Sequence, residues 1–200
     1  MNIGIFISGS GTNMEAVCKN FLKGDFPEVS QISFVLSDKK NAAGIEKAKS
    51  LGINTIILPK EKGESREQHE TRVLSAIKPY NTKLIVLAGF MKILGSTFLS
   101  GYSGKVINIH PSLLPAFKGV DAQKQAFEYG VKVSGCSVHF VDETLDGGPV
   151  ILQRPVFREN SDTLDSFKAK ILSEEHKALS EAVAIVSAKK YSVSGRFVLL

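Results

Sequence analysis

Short apolar runs rich in β-branched residues alternate along this chain with segments of helical periodicity, and turn residues separate each from the next. Ile3–Ile7 is the first such run, followed by Ser8-Gly9-Ser10-Gly11-Thr12. A run without polar alternation predicts a strand buried on both faces, the condition of strands in a parallel sheet. From Asn13, the residues Met14, Ala16, Val17 and Phe21 recur at helical spacing. Ile32–Leu36 predicts a second strand, Ala43–Leu51 a helix ended by Gly52, and Asn54–Leu58 a third strand. Ser65 and Gln68 stand at capping-box spacing and predict a helix to about Lys78, before Pro79.

Lys83–Ala88 and Val106–Ile109 continue the strand series, with a short helical turn expected within Phe90–Leu99. Ala122–Tyr129 reads as a helix closed by Gly130. Val133–Val141 and Val150–Phe157 read as strands joined by the polar connection Asp142–Gly148. Leu164–Ala188 reads as a long amphipathic helix, and the last ten residues as an edge strand. Strand–helix alternation through the first half implies βαβ units. The expected fold class is therefore α/β: a Rossmann-like three-layer fold with a mostly parallel central sheet and helices on both faces. Two hundred residues suffice for one core and are short for two, so a single domain over residues 1–200 is expected.

Composition narrows the function classes. At 43% hydrophobic and 22% charged the chain is not a disordered one. Lys and Arg number 25 against 20 Asp and Glu, a diffuse excess of +5. Lys39-Lys40 and Lys189-Lys190 are its basic pairs and neither is interleaved with aromatics, so no nucleic-acid partner is expected. The longest apolar runs fall far below the ~20 residues of a membrane span, so no membrane partner is expected either. The opening run lacks a basic flank and a cleavage site, and Cys18 and Cys136 cannot build a disulfide framework; a cytoplasmic location is expected. His69, His110, His139 and His176 show no zinc spacing, and Asp142–Gly148 does not match a calcium loop, so no metal is expected.

Three segments carry candidate chemistry. The glycine-rich turn after the first strand opens the first helix, where backbone N–H groups and the helix dipole favour a phosphate. The third glycine of a dinucleotide fingerprint is replaced by Met14, and no Gly-Lys-Ser/Thr follows, which points to a phosphate monoester; a plain turn with an N-cap is the alternative. In Val106–Pro115, Asn108 and His110 lie on one strand face, and Pro111 ends the ladder just beyond them. The carboxyl edge of an α/β sheet is where ligands bind, and buried Asn and His there need partners. Such a pair suits addition to a carbonyl, the amide holding a developing oxyanion and the imidazole moving protons; a structural hydrogen-bonded pair is the alternative. Ser112 has no Gly-x-Ser-x-Gly elbow, which disfavours a serine hydrolase. Asp142, Glu143 and Asp146 supply carboxylates to the last connection, either as a solvated turn or as a partner favouring protonation of His110.

Ile7–Asn13, Ala88–Leu94, Asn108–Pro115 and Ser137–Val141 with Leu145–Pro149 together resemble the phosphoribosylglycinamide formyltransferase family, the folate-dependent transformylases of purine synthesis. The blocks occur in family order over nearly the whole chain. The resemblance implies formyl transfer from 10-formyltetrahydrofolate to 5-phosphoribosylglycinamide, with neither metal nor nucleoside triphosphate, by a monomer or homodimer. It implies that Gly11, Thr12 and Asn13 hold the phosphate and that Glu175 contacts the ribonucleotide. Arg66, Met91, Lys92, Ile93 and Leu94 would bind the formyl-folate together with Asn108, Asp142, Glu143, Thr144, Leu145 and Asp146. Asn108, His110 and Asp146 would be catalytic, His110 as proton donor with Asp146 raising its pKa. Gln123, where many members carry histidine, and Leu172, where some carry a polar residue, depart from the pattern. The rivals are a formyltetrahydrofolate hydrolase, whose relatives carry an extra N-terminal domain whereas this chain starts on its first strand, and a non-catalytic folate- or phosphate-binding module. Methionyl-tRNA formyltransferase is disfavoured because no C-terminal tRNA-binding domain is expected after the final helix.

Overall fold

Strand β1, Asn2–Ile7, is buried from Ile3 onward, as an apolar run between two parallel neighbours must be. The computed structural model describes residues 1–29 and 31–200, and the chain divides into two compact units, Met1–Ile107 and Asn108–Leu200.

In the first unit, helix α1 (Thr12–Leu22) follows β1, then β2 (Gln31–Ser37), α2 (Ala43–Ser50), β3 (Thr55–Ile57), α3 (Arg66–Ile77) and β4 (Leu84–Leu87). The strands lie in the order β3-β2-β1-β4, and β1 pairs parallel with both β2 and β4. β3 is shorter than the expected Asn54–Leu58, but Val35 N–H donates to Asn54 O and Leu58 N–H to Ser37 O, so the ladder covers the expected span. The capping box at the start of α3 is formed by Ser65 and Gln68. A 3-10 turn, Lys78–Tyr80, carries Pro79 beyond the end of α3.

The core of this unit centres on Phe6, which is fully buried, with Phe90 at 5.3 Å and Phe98 at 5.8 Å between ring centroids. Truncating a buried Phe removes its transfer free energy and leaves a cavity, so Phe6→Ala is expected to cost about 3–5 kcal/mol. Urea unfolding followed by circular dichroism checks this; a loss under about 1 kcal/mol would mean that the ring is not enclosed as described.

The helical turn expected within Phe90–Leu99 is displaced. Residues 90–95 are not helical, and helix α4 runs Ser96–Gly101. A distant residue sets that start: the buried Glu70 carboxylate of α3 accepts from Gly95 N–H at 2.7 Å and Phe98 N–H at 3.0 Å. These are first-turn donors that no local side chain satisfies.

Strand β5, Lys105–His110, begins in the first unit and ends in the second. The second unit continues with α5 (Ala122–Tyr129), β6 (Val133–Phe140), β7 (Val150–Phe157) and α6 (Leu164–Ser187). β6 and β7 are antiparallel across the Asp142–Gly148 connection. The single expected edge strand is instead a hairpin, β8 (Ser192–Ser194) and β9 (Phe197–Leu199), because Gly195 adopts positive φ and turns the chain. The α/β class with a mostly parallel sheet is as the alternation predicts.

Candidate active site

The first unit carries the phosphate-loop candidates. Gly11 caps α1 at φ 68° and no side chain caps the helix, so the loop offers its first-turn N–H groups rather than a Ser or Thr cap. Thr12 is half-buried, and Asn13 is buried in the first turn. Gly11 also has a packing role that spacing did not reveal. A Cβ on it would stand 2.7 Å from the Gly44 Cα of α2, and Gly44 N–H donates to Gly9 O at 3.0 Å. Ser8 Oγ–H donates to the buried Asp38 at 2.6 Å and accepts from Met91 N–H at 2.8 Å, joining the ends of β1 and β2 to the segment after β4. Lys92 Nζ stands 3.7 Å from the other Asp38 oxygen.

The folate candidates of this unit form two sets. Met91 and Ile93 expose their apolar side chains, 74% and 55% respectively, whereas Leu94 is in the core. Arg66 donates to Glu70 at 3.0 Å and to the Ile93 carbonyl at 2.8 Å, which fastens the 91–95 segment to α3. Its guanidinium is still half-exposed and available to an anion.

The second unit carries the candidate chemistry. The turn after β5 is held by side chains of the next two strands. Ser137 Oγ–H donates to Ser112 O and accepts from Leu114 N–H, while Gln153 donates to both Ser137 Oγ and Leu114 O. Asn108 and His110 share a face, as strand alternation predicts, and each meets a partner from elsewhere in the unit. His110 is buried; its Nε2 lies 2.8 Å from the Phe117 carbonyl and its Nδ1 3.4 Å from Asp146 Oδ2. A carbonyl only accepts, so Nε2 carries a proton. Both ring nitrogens face acceptors, and the doubly protonated ring finds a partner for each N–H.

Asp146 is buried at its carboxylate and adopts φ 46°, a conformation that Asp tolerates better than most residues. Its Oδ2 accepts from Gly119 N–H at 2.8 Å. The turn that carries it is closely packed: a Cβ on Gly148 would strike the Phe140 carbonyl oxygen at 1.9 Å, and one on Gly147 would strike Thr144. Asp142 accepts from Thr144 N–H at 2.8 Å, an Asx turn. Asp142, Glu143, Thr144 and Leu145 are exposed, so Asp146 alone of this stretch points its carboxylate into the unit.

Glu175 is buried on α6, with Gln123 Nε2 at 3.5 Å from its carboxylate; the Gln123 departure therefore touches a candidate residue. Leu172 is half-buried on the same helix. Both cysteines are buried, and burial pushes both thiols up to about 12, which makes them poor nucleophiles. Among the described residues no helix is long and apolar enough to cross a membrane, and no His, Cys, Asp or Glu cluster could hold a metal.

Sequence reading missed His139 as a site member. It lies on β6, 3.2 Å from Asn108 Nδ2 and 3.8 Å from Asp146 Oδ1. Burial lowers its pKa from the ordinary imidazole value of 6.5, outweighing the hydrogen bond to the Phe140 carbonyl and the field of Asp146, which oppose it. The signal that could have found it is a histidine near the end of a strand buried from Ser134 onward, just before the connection that carries Asp146.

The His139 shift has a consequence for stability. The folded value lies below the unfolded one, so between the two the unfolded chain binds more protons and stability rises with pH. That contribution is complete above about pH 6.5 and is lost as pH falls from there through the folded value. Urea midpoints at about pH 7.5 and about pH 5.5 should show wild type losing more stability on acidification than His139→Gln. Equal losses would show that His139 has no part in the acid response.

The formyl transferase family profile matches residues 1–183 of the chain. A phosphoribosylglycinamide formyltransferase of Escherichia coli (strain K12) is 43% identical over 182 residues, covering 88% of this chain and 82% of that protein. The chain belongs to the formyl transferase family. Among solved members of the family, glycinamide ribonucleotide transformylase 1 from Symbiobacterium toebii superposes with a TM-score of 0.96 at 37% identity, covering 100% of this chain and 93% of that one. The trifunctional purine biosynthetic protein adenosine-3 of Gallus gallus is 37% identical over 187 residues, which are 94% of this chain and 18% of that much longer protein. The chain thus spans less than a fifth of the trifunctional relatives that it matches.

Proposed function

We propose that this formyl transferase moves the formyl group of 10-formyltetrahydrofolate to the amine of 5-phosphoribosylglycinamide, in the purine biosynthesis named for its relatives. The observation that carries the reading is the side-chain network of the second unit: Asn108 hydrogen-bonded to His139, and His110 set between the Phe117 carbonyl and Asp146. It supplies an N–H donor and a proton-carrying imidazole with a carboxylate behind it, the groups that addition to a carbonyl needs.

When bound, 10-formyltetrahydrofolate supplies an activated formyl carbon. Exposed Met91 and Ile93 suit an apolar ring face, and the Arg66 guanidinium suits a carboxylate. Lys92, Leu94 and the 142–146 turn complete the proposed folate set, Leu94 by shaping the segment from within the core. The first-turn N–H groups near Gly11, Thr12 and Asn13 receive the phosphate of the ribonucleotide, and Glu175 contacts the ribonucleotide itself. As the neutral amine attacks, Asn108 donates to the oxygen that gains charge. His110 supplies a proton to the departing folate nitrogen and takes up the one that the attacking amine loses, so the proton count closes. Asp146 Oδ2, 3.4 Å from Nδ1, stays behind the ring as it gives up and regains the proton.

The reading takes residues 1–200 as one formyltransferase domain, acting in the cytoplasm as a monomer or homodimer on small molecules, with the formyl-folate as its only cofactor. The absorbance change of the folate product, measured with and without phosphoribosylglycinamide, tests it. Turnover that requires the amine is expected. Equal turnover without it would make the chain a formyl-folate hydrolase, and no turnover under either condition would leave a binding module.

A further inference from the structure

We propose that His139 is a positioning residue for this transfer, holding the Asn108 amide by one N–H so that the other is presented to the reacting oxygen. The inference rests on the reaction proposed above but is drawn from hydrogen-bond polarity alone.

His139 is buried on β6, and its Nδ1 lies 2.8 Å from the carbonyl oxygen of Phe140. That oxygen can only accept, so Nδ1 carries the proton. In the neutral ring Nε2 then holds a lone pair and is an acceptor. The Asn108 amide stands 3.2 Å from it. Were the amide turned over, its oxygen would face that lone pair, acceptor against acceptor. The NH2 group must therefore face His139. Amide orientation is usually an inference from surroundings, and here the surroundings leave one answer.

The polarity passes from the Phe140 carbonyl through His139 to Asn108. One amide N–H is spent on Nε2, and the second remains for a ligand on the half-buried side of Asn108. The neighbouring groups help to keep this state. Burial, the largest influence, and His110 both oppose a charge on His139, while the Phe140 carbonyl, Asp146 and Asp142 favour one. Were the ring to gain a proton at Nε2, that nitrogen would become a donor facing Asp146 Oδ1 at 3.8 Å, and the amide would lose its anchor.

The test compares His139→Phe with His139→Gln, each alone and combined with Asn108→Ala, by steady-state kinetics. Phe fills the space without an acceptor; the terminal carbonyl of Gln reaches the Nε2 position and accepts. His139→Phe is expected to lower kcat at least about tenfold, and by no more than the ~10²–10³ of losing the Asn108 donor outright. KM for both substrates should move less than about threefold, and His139→Gln should recover most of the turnover. In the Asn108→Ala background His139→Phe should change kcat less than about threefold, because the group it positions is gone. An equal effect in both backgrounds, or no advantage of Gln over Phe, overturns the proposal. Should the Phe variant not fold, nitrogen-15 spectra of the wild-type imidazoles decide: a protonated Nδ1 and a bare Nε2 on His139 support it, and the opposite tautomer overturns it. A wild type that transfers no formyl group refutes the proposed reaction instead, and the tautomer is read independently of that result.

Discussion

Asp146→Asn should lower kcat by about 10²–10⁴, the range of a general acid–base contribution, with far smaller changes in either KM. The variant keeps the shape: Asn tolerates the positive φ of this position, and its side-chain oxygen can still accept from Gly119 N–H. It removes the charge 3.4 Å from His110 Nδ1. Steady-state rates with each substrate varied in turn check this split between kcat and KM. A variant with normal turnover would reduce Asp146 to a turn-forming residue.

Asn108→Ala should lower kcat by about 10²–10³, as loss of one preorganised donor to an oxyanion does. Binding should change little, because the donor matters most once charge has developed. The substitution also leaves the buried His139 Nε2 without its N–H partner, so a modest loss of stability should accompany the loss of rate. Parallel kinetics and urea unfolding separate the two. Near-normal turnover in a folded variant would remove Asn108 from the chemistry.

Much of this architecture was legible from periodicity. Ile3–Ile7, Ile32–Leu36 and Lys83–Ala88 read as buried strands because both of their faces are covered, and their local composition records that. The capping box at Ser65 is likewise a local signal, and the helix begins there. What misled was set from a distance. Phe90–Leu99 contains helix-compatible residues, but the start at Ser96 is imposed by Glu70, some 25 residues earlier in the chain, whose carboxylate takes the first-turn donors. The C-terminal hairpin turned on one glycine in a left-handed conformation, which a short apolar tail does not announce.

The candidate site divides in the same way. Asn108 and His110 were visible as polar residues at the end of an apolar strand, where a ligand edge is expected. Asp146 was visible only as one of several carboxylates, and resemblance to a family singled it out. The structure adds a physical reason: it is the carboxylate of that turn that faces inward, held by Gly119 and by a packing that excludes any side chain at Gly147 or Gly148. Gly11 was assigned to phosphate, yet its closest neighbour is Gly44 of α2, so its substitution disturbs packing as well as the ligand loop. Ser8 and Asp38 were not anticipated as a pair, because two residues 30 positions apart reveal themselves only once β1 and β2 are parallel and in register.

The most direct test of formyl transfer follows the carbon itself. With 10-formyltetrahydrofolate labelled with carbon-13 at the formyl group, carbon NMR of the reaction with phosphoribosylglycinamide distinguishes the products. The account predicts that the label appears as an N-formyl amide on the ribonucleotide, at a rate that Asn108→Ala reduces by about 10²–10³. Label accumulating as free formate, whether or not the amine is present, would contradict it.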